Sequence, residues 1–148
     1  MLLQCKNIFL ADDDSDDVAI FSQALSEISS DCTFTIFNNG AELIKQIKEN
    51  PAAAADIIFL DLNMPKINGL EALTFIRTVE AYRPVPVIIY STSASSNHIA
   101  LAREIGANYY FIKPSDYRNL KEQIKKLLAT DWQAYKIPEQ IEEFVLQA

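Results

Sequence analysis

Carboxylates recur in this chain at the ends of apolar runs. The run "NIFLA" at 7–11 leads into "DDDSDD", giving Asp12, Asp13 and Asp14, and "DIIFL" at 56–60 leads directly into Asp61. Two other runs end on different chemistry: "VPVIIY" at 85–90 opens into Ser91, Thr92 and Ser93, and "NYYFI" at 108–112 into Lys113 and Pro114. A buried carboxylate without a partner is costly, so Asp61 at the end of an apolar strand needs company. Gathered together, Asp12, Asp13 and Asp61 would repel one another and call for a cation. Oxygen-only donors in a compact site favour a hard ion, Mg²⁺ (or Mn²⁺), which takes one or two carboxylates, keeps waters and leaves room for a phosphate oxygen. Lys113 supplies a positive charge for a carboxylate or a phosphoryl oxygen, and Ser91 supplies a hydroxyl donor. The set is suited to placing a phosphoryl group on Asp61, with the carboxylate as nucleophile.

The elements that must bring these residues together follow from the hydrophobic pattern. The runs at 7–11, 33–37, 56–60, 85–90 and 108–112 read as strands. Between them Val18, Phe21, Leu25 and Ile28 recur at helical spacing, as do Leu43, Ile44 and Ile47, then Leu70, Leu73 and Ile76, then Ile99, Ala102 and Ile105. Leu120, Ile124, Leu127 and Leu128 give a fifth stripe. Strands alternating with helices imply a parallel sheet covered on both faces. Five such units favour a doubly wound sheet of order 2-1-3-4-5 over a closed barrel, which needs eight. "TFTIF" at 33–37 alternates with Thr, which suits an edge. In this architecture ligands sit beyond the carboxyl ends of the central strands, where the four chemical endings converge.

Composition narrows the alternatives. A chain of 148 residues holds one domain, with 49% apolar and 22% charged residues typical of a globular protein. The net charge of −7 argues against a nucleic-acid ligand, since such binding draws on clustered Lys and Arg. No apolar run approaches a membrane span, and "MLLQCKNIFLADDD" lacks a signal-peptide pattern, so a cytoplasmic protein with no membrane partner is expected. Cys5 and Cys32 form no C-x-x-C pair and read as small buried or half-buried hydrophobes. An EF-hand loop counted from Asp12 would need Gly and Glu where Asp17 and Gln23 stand. There is no Gly-rich phosphate cradle.

The chain resembles the receiver domain of two-component response regulators, in its stand-alone, chemotaxis-regulator-like form. The resemblance rests on Asp12-Asp13, on "DLNMPKINGLEAL" with Asp61 at the phosphoacceptor position, on Ser91, and on "GANYYFIKP" with Tyr110, Lys113 and Pro114. It spans about residues 6–129. It implies a flavodoxin-like fold with five strands and five flanking helices. It further implies that Asp12 and Asp13 bind Mg²⁺, Asp13 directly, that Asp61 is both ligand and phosphoacceptor, and that the Asn63 backbone carbonyl completes the shell. Lys113 would contact the phosphoryl group, and its bond to Pro114 would be cis. Ser91 and Tyr110 would be the switch pair, the hydroxyl moving toward the phosphate as the ring turns inward. The donor would be a sensor histidine kinase or phosphotransfer protein, and the output a protein contact through the fourth helix, fifth strand and fifth helix. The chemistry would be confined to self-phosphorylation and slow self-dephosphorylation, so the protein would not be an enzyme in the usual sense.

Some residues read otherwise. Ser91 stands where Thr is more frequent, and Asn63 and Ser93 occupy positions that tune the phosphoryl lifetime in this family. Asp14, Asp16 and Asp17 are assigned to helix capping and solvation. His98 is expected on the fourth helix away from the pocket. Gly69 and Gly106 are read as permitting tight turns, Gly106 in a left-handed residue closing the fourth helix.

Residues 1–130 thus form the expected receiver domain and 131–148 an extension. In the extension Pro138 suits a first helical turn, and Ile137, Ile141, Phe144 and Val145 give an apolar face, so a short sixth helix is expected, packed on its own domain or against a partner or second copy. A phosphatase of the haloacid dehalogenase type would need Asp where Asn63 stands. A scaffold working without phosphorylation, and a phosphorelay intermediate, remain as alternative functions.

Overall fold

The strands of the computed structural model, which describes residues 3–52 and 54–147, are short and nearly solid in apolar residues. The termini of the two expected segments, at 1 and 148, fall outside the described residues. The order is β1 (Asn7–Ala11), α1 (Ser15–Ile28), β2 (Thr33–Phe37), α2 (Gly40–Glu49), β3 (Ile57–Leu60), α3 (Gly69–Ile76), a 3₁₀ turn (Glu80–Tyr82), β4 (Val87–Ser91), α4 (Ser96–Ile105), β5 (Tyr109–Ile112), α5 (Tyr117–Ala129), α6 (Ile141–Phe144) and β6 (Val145–Leu146). All pairings are parallel, in the order β2-β1-β3-β4-β5-β6, so the predicted 2-1-3-4-5 core holds and β2 is an edge.

Alternation along each strand divides the interior into two layers. Ile8 and Leu10 of β1, Ile57 and Phe59 of β3, and Ile88 and Tyr90 of β4 face α1 and α5, against Phe21, Leu25, Leu120, Ile124 and Leu128. Their alternates Phe9, Ala11, Ile58, Leu60, Val87 and Ile89 face α2, α3 and α4, against Leu43, Ile47, Leu73, Ile76 and Ala102. The central strands β3 and β4 are buried at every residue, which is why they lack a polar alternation. Each large side chain so buried contributes roughly 1.5–3 kcal/mol over an exposed one. Cys5 belongs to the layer of α1 and α5, and burial pushes its thiol up to about 12, so it is inert packing.

Helix starts follow local chemistry. Asp14 caps α1 by accepting from the backbone N–H groups of Asp16 and Asp17, and Asn68 and Glu71 form a reciprocal capping box on α3. Gly106 ends α4 at φ 120°, the left-handed conformation expected of it.

Just below Gly106, at the amino ends of β4 and β5, the half-buried Arg77 closes the loops. Its guanidinium donates to the carbonyls of Gly106, Tyr82, Arg83 and Val85 and to Asn108 Oδ1, at 3.0–3.3 Å. Asn108 Oδ1 also accepts from the Val87 N–H at 3.0 Å, so one side-chain pair ties both strand starts to α3.

The extension carries the expected short sixth helix and adds a strand to it. Only Ile141–Phe144 is helical, and Val145 and Leu146 instead add a sixth strand beside β5. The reason is the edge of β5, whose free backbone groups the tail satisfies better than a longer helix would. Trp132 and Tyr135 pack on Tyr109 with ring centroids 6.0 and 5.2 Å away, and the Tyr135 hydroxyl donates to the Asn108 carbonyl. Arg103 of α4 then holds the carbonyls of Pro138 and Glu139 at 2.6 and 2.8 Å. Of the predicted apolar face, Phe144 is fully buried in the layer containing Tyr110, while Ile137 and Ile141 stay exposed.

Candidate functional site

Parallel strands all deliver their carboxyl ends to one side of the sheet, and there Asp12, Asp13, Asp61 and Lys113 meet. Asp12 follows β1, its N–H donating to the Phe37 carbonyl at 3.0 Å, and Asp61 follows β3, its N–H donating to the Ala11 carbonyl at 2.9 Å. Backbone pairing thus carries both acids past the end of the sheet while keeping them at its centre. Carboxylate oxygens of Asp12, Asp13 and Asp61 all lie within 4.8 Å of one another. Asp12 is 1% exposed and Asp61 6%, whereas Asp13 faces solvent. Oxygen donors at this spacing, two of them buried, fit a hard divalent cation. Asn63 follows in the exposed part of the β3–α3 loop.

Lys113, at the end of β5, crosses to the acids. Its Nζ lies 2.8 Å from Asp17 Oδ2, 2.9 Å from Asp12 Oδ2 and 3.3 Å from Asp61 Oδ2, and 5.1 Å from the centre of the Tyr90 ring. Burial works against its charge, but hydrogen bonds to Asp17 and Asp12 and the nearby Asp61 charge outweigh it, so the pKa lies above the ordinary lysine value. For Asp61 the balance falls the other way. Burial lifts its pKa to about 6, the Lys113 charge opposes this, and neighbouring Asp12 adds to it. Burial and the Asp12 charge thus disfavour the Asp61 anion, and the Lys113 charge offsets them in part.

The peptide joining Lys113 to Pro114 is not cis; no cis peptide bond occurs among the described residues. Trans is the intrinsically preferred isomer, by roughly 0.5–1 kcal/mol before proline, and Lys113 is brought to the acids with its N–H still paired to the Ser91 carbonyl at 2.8 Å.

Ser91 is fully buried at the end of β4, its Oγ accepting from the Ser93 N–H at 3.2 Å. Tyr110 is already turned inward: it is fully buried, and its hydroxyl donates to the Ser93 carbonyl at 2.8 Å. Ser93 Oγ pairs with His98 Nδ1 at 2.8 Å, so His98, in the first turn of α4, holds the loop that follows Ser91 rather than standing clear of it.

Two backbone features shape the far wall. The Ile67 N–H donates to the Pro65 carbonyl at 2.8 Å around Lys66, whose φ is 70°, a tight three-residue turn. Gly69 begins α3 against the chain leaving β3: a Cβ there would sit 2.2 Å from the Asp61 carbonyl oxygen. Gly69 therefore serves close approach and not a left-handed turn.

Sequence reasoning missed Asp17. It was set aside as a helix-start acid, yet it makes the shortest contact to Lys113. The available signal was its place in the first turn of α1, a helix that starts at the pocket.

A five-stranded doubly wound core with acids after β1 and β3, a hydroxyl after β4 and a lysine after β5 defines a class, and comparison with known proteins gives the same class. The response regulator receiver domain family matches residues 8–125, and the chain belongs to that family. Chemotaxis protein CheY1 of Helicobacter pylori (strain ATCC 700392 / 26695) is 26% identical over 124 residues, covering 84% of this chain and 98% of its own length. Among solved structures, the phosphorylated cyanobacterial phytochrome response regulator RcpA is similar with a TM-score of 0.77 and 26% identity, over 91% of this chain and 99% of that one. Response regulator RPA3017, in red light signaling of R. palustris, gives a TM-score of 0.76 and 27% identity, over the same shares.

Proposed function

We propose that this protein is a phosphoacceptor that takes a phosphoryl group from a sensor histidine kinase or phosphotransfer protein onto Asp61 and signals by contact with a downstream protein. The observation that carries the reading is the convergence of Asp12, Asp13 and Asp61 oxygens within 4.8 Å, with the Lys113 ammonium 3.3 Å from Asp61. Asp12, Asp13, Asp61 and the Asn63 carbonyl would hold Mg²⁺ (or Mn²⁺), which when bound supplies charge neutralisation for the acids and the phosphoryl oxygens.

The transfer itself falls to the chain's residues. An Asp61 Oδ attacks phosphorus, the P–N bond to the donor imidazole breaks, and its electron pair remains on the ring nitrogen, which takes up a proton. Lys113 pairs with a phosphoryl oxygen and the Ser91 hydroxyl donates to another. Hydrolysis cleaves the acyl phosphate: water attacks phosphorus, the P–O bond to Asp61 breaks with its electron pair on the carboxylate, and inorganic phosphate leaves as the water's proton passes to solvent. Asn63 and Ser93, beside the acceptor and the switch hydroxyl, set the rate. The added charge of about −1.5 to −2 draws Ser91 from its bond with the Ser93 N–H and so reorients the loop that Tyr110 and His98 hold. That loop leads into α4, and the surface of α4 carries the change to its partner. No substrate other than its own phosphorylated donor is turned over, and the site of action is the cytoplasm; among the described residues no helix is long and apolar enough to cross a membrane.

Intact mass after incubation with acetyl phosphate and Mg²⁺ tests this. A single phosphoryl adduct is expected, absent with chelator and absent in Asp61→Asn. A folded wild-type protein that binds Mg²⁺ yet takes no phosphoryl group from small-molecule and phosphohistidine donors overturns the reading in favour of a phosphorylation-independent scaffold.

A further inference from the structure

We infer that Asp17 is a positioning residue for phosphoryl uptake, acting through Lys113; the inference rests on the phosphoacceptor reading above. An ammonium has three N–H donors, and Lys113 faces three carboxylates: Asp12 at 2.9 Å, Asp17 at 2.8 Å and Asp61 at 3.3 Å. Its hydrogen-bonding capacity is full before any phosphoryl group arrives. For Lys113 to meet a phosphoryl oxygen on Asp61, one of these bonds must be given up or shared.

The three partners are not equivalent. Asp12 has no exposed side-chain surface and Asp61 has 9%, so releasing either leaves a buried anion. Asp17 has 30%, so water takes over its carboxylate when the lysine leaves. It forms the shortest bond and is the cheapest to release, which makes it the partner that holds Lys113 toward α1 and shares it with the acceptor in the resting state. Its side chain plays no part in capping: the cap bond uses the Asp17 backbone N–H, at 3.2 Å from Asp14 Oδ1. Substitution at this position therefore leaves the helix start intact.

Asp17→Asn should free Lys113 for the incoming group and speed phosphoryl uptake from acetyl phosphate by roughly threefold to tenfold, the scale of one partly solvated charge-assisted bond. Asp17→Glu, which keeps the carboxylate, should stay near the wild-type rate. In a Lys113→Met background the same Asp17→Asn change should have no effect on residual uptake. A second readout needs neither metal nor phosphate: by NMR, the Lys113 ammonium protons of metal-free protein should exchange with water several-fold faster in Asp17→Asn. Unchanged uptake and unchanged exchange in Asp17→Asn overturn the inference. So does an equal acceleration with Met at 113, which would make Asp17 only a nearby repelling charge. Absence of any adduct on the wild type is a different failure, removing the phosphoacceptor reading and this one with it.

Discussion

Half-buried cations stand at opposite ends of the sheet, Arg77 and Lys113, in opposite company. Arg77, at the amino ends of β4 and β5, donates to four backbone carbonyls and one amide oxygen, all neutral. Lys113, at the carboxyl ends, donates only to carboxylates. Backbone carbonyls can neither change charge nor swing away from the main chain, so the Arg77 end is fixed by its covalent chain. Side-chain carboxylates can do both, so the Lys113 end is held by partners that can be exchanged. The planar guanidinium also suits a cluster of fixed acceptors, while the compact ammonium suits partners that move. One end anchors the strands and the other is free to respond.

The comparison breaks most directly at Arg77. Arg77→Met should lower unfolding stability by about 3 kcal/mol, through several lost charge-assisted bonds, and denaturant titration should show the same loss with and without Mg²⁺. Lys113→Met should cost less, about 2 kcal/mol in chelator at pH 7, because Asp61, raised by burial and no longer opposed by the Lys113 charge, can take up a proton. Added Mg²⁺ should recover most of that loss; an equal cost in both conditions would mean that Lys113 is as static as Arg77. A smaller effect sharpens the contrast further. The Asp61 pKa is raised in the folded state to about 6, so its ionisation opposes folding above that pH and the opposition disappears below the ordinary carboxylate range. In chelator, Asp61→Asn should therefore stabilise the protein by about 1 kcal/mol at pH 7.5, with the gain fading as pH falls from about 6 to 4, as thermal melts across that range would show.

What could be read from the chain follows the same division. The strands, their order and the residues at their ends were legible because a parallel sheet needs solid apolar runs and delivers its termini to one side. Asp12, Asp61, Ser91 and Lys113 each stand directly after such a run, and Asp13 one residue further on. Asp17 was not legible in that way: an acid in a first helical turn has a sufficient local explanation, and only the reach of Lys113 from 96 residues away gives it another. Arg77 escaped for a like reason, since backbone carbonyls, its main partners, leave no mark on sequence. The tail was legible in part: helical spacing announces the short helix at Ile141–Phe144, but not the open edge of β5 that draws Val145 and Leu146 into a sixth strand. Proline directly after the pocket lysine suggested a cis bond by resemblance alone, and the backbone did not require it.

Gly69 bears on how a saturation mutagenesis map of this chain should be interpreted. With a Cβ placed 2.2 Å from the Asp61 carbonyl oxygen, every substitution at position 69 pushes on the backbone of the residue proposed to accept phosphate. Such a map would score position 69 beside the acids in intolerance, although it contributes no charge, donor or ligand to the pocket. Depletion there would record clearance rather than chemistry. A classifier trained on functional loss would place one residue too many in the reaction.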